Sequence, residues 1–193
     1  MPEARLLSIL RCSEVWSILL ERCRNVLVAD WAVGGGALAQ TVWNHLHGLP
    51  ERHGIRDIDI VYYDADDLSA EAESQAIAHV TELFCDLGVA LDVKNQARVH
   101  LWYERHFGRL IPPYRSLAEA IVTWPTTATA VALAPRPDGE IGVIAPFGLW
   151  DLLGGIVRPN RRQITEDIYQ AKIARWRPLW PKLDIKPWSD GVG

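Results

Sequence analysis

Cysteine is scarce in this 193-residue sequence, and its spacing suggests no chemistry. Cys12, Cys23 and Cys85 make an odd count, and no two stand at the separation of a zinc knuckle or a redox CxxC pair. Cys12 and Cys23 sit in an apolar stretch and read as buried, reduced thiols of a cytosolic protein. Long hydrophobic runs are missing too, since no stretch reaches the ~18 apolar residues that a membrane span needs. Glu3, Arg5, Arg11 and Glu14 interrupt the N-terminal apolar segment, which is no secretory h-region. Positive charge is also not in excess: 20 Lys and Arg stand against 24 Asp and Glu, for a net charge of -4. That balance argues against a long nucleic acid as partner, because such proteins carry a basic face strong enough to show in the total. These absences together indicate a cytoplasmic protein with no membrane partner. Internal repeats and low-complexity linkers are lacking as well.

What is present supports a core. Apolar residues make up 49% of the chain, and nine Trp, most of them beside other apolar residues, read first as packing mass. Residues 5–28 carry apolar positions at helical spacing. Val33-Gly34-Gly35-Gly36 reads as a turn, and Ala37 to His47 as a helix with Leu38, Val42 and Leu46 on one face, stopped by Gly48 and Pro50. Residues 56–63 alternate for their first five and are rich in β-formers, which reads as a strand. Ser69 to Leu87 reads as an acidic amphipathic helix closed by Gly88, Val89 to Val93 as a second strand, and Val99 to Tyr103 as its extension or successor. Ser116 and Glu119 make a capping box for a short helix that ends before Pro125. Ala128 to Ala134 and Glu140 to Ile144 flank Pro-Arg-Pro-Asp-Gly, a hairpin signal. Phe147 to Val157 and Arg161 to Trp176 read as the last helices. The order predicts an α+β (α/β-like) domain with a mixed β-sheet flanked by helices.

One constellation carries chemistry. Asp57 and Asp59 are two apart on a strand, so both side chains point to one face, with Cα atoms about 6.5 to 7 Å apart. Two such carboxylates can converge on cations about 3.5 to 4 Å apart, the separation of two-metal phosphoryl chemistry. Asp92, between Leu91 and Val93 on another strand, supplies a third carboxylate if the two strands are neighbours. Oxygen-only sites of this kind suit Mg²⁺ or Mn²⁺. Upstream, Gly34, Gly35 and Gly36 precede a helix, where backbone N–H groups can approach an anion and the helix N-terminus favours it. The glycines match neither a Walker motif nor a G-x-G-x-x-G fingerprint. Beyond Asp92, the residues Lys94, Gln96, Arg98 and His100 alternate, so on a continued strand they share its face and reach phosphate or acceptor.

Val33-Gly34-Gly35-Gly36, Asp57-Ile58-Asp59-Ile60 and Leu91-Asp92-Val93 resemble the signature of the DNA polymerase β-like nucleotidyltransferase superfamily. Longer words look like an uncharacterised bacterial nucleotidyltransferase-like family within it. They include Gly35-Gly36-Ala37-Leu38, Thr41-Val42-Trp43-Asn44, Asn95 to Trp102, Trp124 to Ala130, Ala145 to Leu149 and Arg158-Pro159-Asn160. The resemblance covers roughly residues 33–182. It implies a nucleotidyltransferase fold with a C-terminal hairpin and helical annex: one domain over 1–193, its catalytic core at about 26–104 and the rest at about 105–193. It implies transfer of a nucleoside monophosphate from an NTP to the hydroxyl of a small-molecule or protein acceptor. By that likeness Asp57, Asp59 and Asp92 are the catalytic metal ligands, with Asp92 also activating the acceptor, and Gly35 and Gly36 hold the triphosphate. Gly34, Gln40, Lys94, Gln96 and Arg98 complete the nucleotide-binding set. The chain departs from the family pattern at Ala39-Gln40, where relatives carry Arg-Asn, and so lacks a positive contact if that Arg touches phosphate. The departure keeps open a nucleotide- or metal-binding module without turnover, and the superfamily's small members add a toxin–antitoxin component as a third reading. The acceptor, the preferred NTP and the oligomeric state are not written in the residues. His45 and His47, the cluster Arg158, Arg161 and Arg162, and the C-terminal Trp176, Trp180 and Trp188 read as structural.

Overall fold

The structure, a computed structural model, describes residues 1–22 and 30–193. The apolar N-terminal stretch forms two helices, α1 (Pro2–Arg11) and α2 (Glu14–Arg22). Ser13 breaks the single helix expected over 5–28, because its hydroxyl accepts the Trp16 N–H at 3.3 Å and starts a new helix. The Glu51 carboxylate accepts the N–H groups of Glu14 and Val15 and caps α2 from across the fold. Cys12 and Cys85 are exposed, which corrects the reading of Cys12 as buried: it lies at the helix break. Cys23 and the rest of the expected helix fall outside the described residues.

Trp31–Gly34 is a fully buried strand, β1, leading directly into α3 (Gly35–His47). The turn expected at residues 33–36 is therefore a strand-to-helix junction. Gly48, in the left-handed conformation at φ 66°, ends α3. Then come β2 (Asp57–Tyr62), α4 (Ala70–Leu83, its N–H of Ala72 capped by Ser69 Oγ) and β3 (Ala90–Asn95). β2 and β3 are parallel with α4 as the crossover, and Asp59 stands opposite Asp92.

The continuation of β3 expected at Val99 to Tyr103 is instead helical. Asn95 Oδ1 accepts from the N–H groups of Asp64 and Ala97, ends the strand and starts a short 3₁₀ turn, Gln96–Arg98. That turn runs into α5 (Val99–Phe107). β-Branched and aromatic residues favour strand locally, and the Asn95 cap overrides them. α6 (Leu117–Ile121) starts on Ser116 Oγ, and the carboxylate of Glu119 bonds the N–H of Arg115. The hairpin β4 (Ala132–Pro135) and β5 (Ile141–Ile144) is as expected. β4 pairs antiparallel with β1, so the hairpin belongs to the one sheet, ordered β3-β2-β1-β4-β5. α7 (Trp150–Leu153) and β6 (Ile156–Val157) occupy the expected helix at Phe147 to Val157. α8 (Glu166–Trp176) starts five residues later than read from the sequence, and β7 (Asp184–Ile185) pairs with β6.

The sheet has two unlike faces. Ile58, Ile60 and Tyr62 of β2 join Val33, Val93 and Leu133 in the main core beneath α1, α3 and α4. On the other face Ala32, Val61 and Ala132 pack under Leu117 and Ile121 of α6. The C-terminal annex is tied to α3 by tryptophans, as expected of packing mass. Trp176 and Trp180 meet Trp43 edge-on at 5.2 and 5.4 Å, and Trp180 Nε1 donates to Asn44 Oδ1 at 2.7 Å.

Gly34 sets how closely β1 and β4 approach. A Cβ there would lie 2.3 Å from the Val131 carbonyl oxygen and 2.5 Å from Ala132 Cα, both backbone atoms that cannot swing aside. Gly34→Ala should therefore lower the unfolding free energy by about 1–3 kcal/mol. Gly36→Ala, whose Cβ would meet only Gln40 Nε2 at 3.5 Å, should leave it unchanged or raise it. Denaturant unfolding of both variants followed by circular dichroism is the check.

Candidate active site

Strand alternation puts Asp57, Asp59 and Val61 of β2 on the face opposite the main core, and the parallel register brings Asp92 and Lys94 of β3 to the same side. All five line one cleft of about 450 Å³. Asp57 is exposed, while Asp59 and Asp92 are partly buried. Asp92 Oδ2 forms an ion pair with the Lys94 ammonium. Burial, and then the charges of Asp92 and Asp57, push the Asp59 carboxyl up to about 6, against the pull of Lys94 and Lys172.

The same cleft takes in the start of α3. Gly35 is left-handed at φ 68°, donates its N–H to the Val131 carbonyl at 2.9 Å, and lies so close to Asp59 that a Cβ would be 3.1 Å from Oδ2. No side chain caps α3, which leaves the N–H groups of Gly36 and Ala37 without helical partners at the cleft wall. Gln40 lies one turn further on, 5% exposed and lining the cleft, and its amide has no hydrogen-bond partner among the described residues. Ala39 is fully buried in the main core and faces away from the cleft.

The far wall is α8, which the sequence reading took only as a helix. Lys172 and Arg175 stand three apart with Ile168 on its cleft face. Their cationic groups lie 5.9 and 5.8 Å from the Trp176 ring centroid. Lys172 is partly buried; desolvation and then Arg175 push its ammonium down, and Asp59 and Asp57 oppose that. Two cations interrupting the apolar face of an amphipathic helix were the signal that could have found them.

Other expected residues are placed elsewhere. Gly34 does not line the cleft and serves strand packing. Because β3 stops at Asn95, the expected alternation of Lys94, Gln96, Arg98 and His100 on one face fails. Lys94 and Gln96 still line the cleft, whereas Arg98 turns to α4, pairing with Glu73 and donating to the Leu68 carbonyl. His47 accepts the Lys182 N–H at 3.0 Å, Arg158 donates to Asp151 at 3.1 Å, and Arg162 lies over Phe147, so the structural readings of these groups stand.

The donor set fits a hard divalent cation: carboxylate oxygens alone, with repulsion that a cation would relieve. The three aspartates share the cleft without forming a ready cluster, since among the described residues no three acidic, His or Cys side chains converge at ligating separation. Lys94 occupies one oxygen of Asp92, Oδ2.

A family model described as nucleotidyltransferase matches residues 21–185. An NMR structure described as revealing a CCA-adding enzyme head domain is 24% identical to this chain, with a TM-score of 0.76 over 95% of both chains. That likeness establishes the fold. No curated protein matches the chain. Among the described residues no helix is long and apolar enough to cross a membrane.

The raised Asp59 carboxyl has a measurable consequence. Its folded value of about 6 lies above the ordinary 3.8, so the folded state binds more protons than the unfolded state between those values. Stability of the metal-free protein should fall as pH rises through that window, by up to about 3 kcal/mol. Asp59→Asn should flatten the dependence and melt higher than wild type at pH 7. Thermal melts from pH 4 to pH 7.5 test this, and parallel curves for the two proteins would refute it.

Proposed function

The chain belongs to the nucleotidyltransferase family whose model it matches, and from that premise we propose that it transfers a nucleoside monophosphate from an NTP to an acceptor hydroxyl with Mg²⁺ or Mn²⁺. The observation that carries this reading is the meeting, in one cleft, of an uncapped helix N-terminus with Asp57, Asp59 and Asp92. A triphosphate would lie across the N–H groups of Gly36 and Ala37, where the helix dipole favours negative charge. Lys172 and Arg175 would face it from α8 and hold its outer oxygens. Gln40, buried beside Gly36 with an unpartnered amide, gains a phosphate oxygen to bond.

Asp57, Asp59 and Asp92 would hold the divalent cations, which when bound supply neutralisation of charge on the attacked phosphate and the leaving group. Asp92, at the edge of the three, is the group placed to accept the hydroxyl proton. Lys94 pairs with Asp92 and orients it until substrate arrives. The acceptor oxygen then bonds to the α-phosphorus, the bond to the bridging oxygen breaks, and pyrophosphate leaves. Positioning and charge neutralisation carry nearly all of the rate in such a transfer.

One observation favours a second reading. The Lys94 ammonium sits on Asp92, an arrangement that a nucleotide-binding module without turnover could keep permanently.

A screen of labelled NTPs with Mg²⁺ and Mn²⁺, against small-molecule and protein acceptors and the protein itself, decides between them. Transfer by the wild type establishes the enzyme, and tight NTP binding with no transfer to any acceptor establishes the module. Asp57→Ala should keep measurable NTP binding and lose transfer, because the glycines and α8 still hold the phosphates. Lys172→Ala should weaken NTP binding by about tenfold or more, the worth of a charged hydrogen bond in a partly buried site. Unchanged affinity in Lys172→Ala would remove α8 from the phosphate path.

A further inference from the structure

The cleft is divided by chemistry. Its charged groups, Asp57, Asp59, Asp92, Lys94, Lys172 and Arg175, belong to β2, β3 and α8. The rest of its wall, toward α5 and α6, is aromatic, and its polar side chains there are uncharged. The two parts join at Trp124, whose ring edge lies 3.4 Å from where a Gly35 Cβ would sit. From Trp124 the wall continues through its neighbour Thr123 to Tyr114 and Gln163, and along α5 through Trp102 and Phe107.

We propose that this aromatic compartment holds a nucleobase and that Gln163 reads the edge of that base. The inference rests on the reading of the charged half as a triphosphate and metal site. Once the phosphates are placed on α3 and α8, the uncharged remainder of a nucleotide is left for the neighbouring space, and base faces stack favourably on aromatic rings. Tyr114 donates its hydroxyl proton to Gln163 Oε1 at 2.7 Å, and Thr123 Oγ1 lies 2.9 Å from the same hydroxyl. The relay fixes the Gln163 amide with its carbonyl spoken for and its N–H₂ group available to the cleft. Gln96, 6% exposed, adds a second amide with no side-chain hydrogen bond among the described residues.

Gln163 offers donors, so it selects a base with a carbonyl at purine C6 or pyrimidine C4, guanine or uracil, over one with an amino group at that position, adenine or cytosine. Gln163→Glu is the discriminating variant. A carboxylate oxygen can still accept from Tyr114, while the group facing the cleft changes from donor to acceptor.

The test is calorimetric titration of wild type, Gln163→Glu and Phe107→Ala with the four NTPs and with inorganic tripolyphosphate, in Mn²⁺. Phe107 is 45% exposed, so its loss is tolerated by the fold. The expected result is that GTP and UTP bind wild type about tenfold more tightly than ATP and CTP, that Gln163→Glu erases or reverses the order, and that Phe107→Ala weakens every NTP but not tripolyphosphate. Free guanosine or uridine then identifies the source: competition with the NTP assigns the compartment to the donor's base, and simultaneous binding assigns it to the base of an acceptor. Tripolyphosphate binding as tightly as every NTP would overturn the base compartment and leave the triphosphate site standing. An identical NTP order in wild type and Gln163→Glu would overturn the role of Gln163. Binding of neither NTP nor tripolyphosphate would overturn the proposed function together with this inference.

Discussion

Like charge held at one place is the constraint around which this molecule is arranged. Asp57 and Asp59 cannot avoid each other, because a pleated strand sends residues i and i+2 to the same side. The parallel register then sets Asp92 opposite Asp59. Burial and that repulsion together hold the Asp59 carboxyl near 6, which means the sheet is destabilised by its own ionised face at neutral pH. Lys94 within the sheet and Lys172 across the cleft oppose the repulsion, as their effect on Asp59 shows. The alternate residues of the same strand, Ile58, Ile60 and Tyr62, lie in the main core and supply apolar burial that offsets the cost of the charged face.

The counter-charge on α8 is useful only if that helix stays fixed relative to β2, and tryptophan does the fixing. Trp176 contributes to the cleft wall, while its ring also packs edge-on against Trp43 of α3. Trp180 packs against Trp43 from the next turn and donates to Asn44, whose own amide donates to the Glu51 and His53 carbonyls. The helix that presents its N-terminus to the cleft is therefore the helix to which the opposite wall is anchored. The uncapped N–H groups and the cationic side chains of the cleft are set by one cluster rather than by two independent elements.

The parts of this arrangement legible in the sequence were those with a local signal. Alternation marked β2 and both of its aspartates, the Ser116 capping box marked a helix start, and Pro-Arg-Pro-Asp-Gly marked the hairpin. The rest depended on contacts between distant residues. β1 is four residues long and buried on both faces, so it has no periodicity, and the adjoining glycines disguise it as a turn. Val99 to Tyr103 has strand composition, but the long-range bonds of Asn95 end the strand first. Lys172 lies 115 residues from Asp57, and the two cations on the apolar face of α8 mark a helix face without saying which strand it meets. Tyr114, Thr123 and Gln163 meet only because α6 and the turn before α8 fold onto α5, so their relay is a property of the fold alone.

The three adjacent glycines show how one short word can carry separate duties. Gly34 is a glycine because β4 backbone occupies the space a side chain would need. Gly35 is a glycine for its left-handed φ of 68°, and its closeness to Asp59 couples the junction to the carboxylate face. Any side chain there would strain the backbone and press on Asp59 together, so a substitution at Gly35 disturbs the fold and the carboxylate face at once. Gly36 is helical, a Cβ there would make only an ordinary contact with Gln40 Nε2, and neither strain nor packing demands a glycine there. Close approach of an anion to the uncapped end of α3, which the proposed function requires, would account for a glycine there.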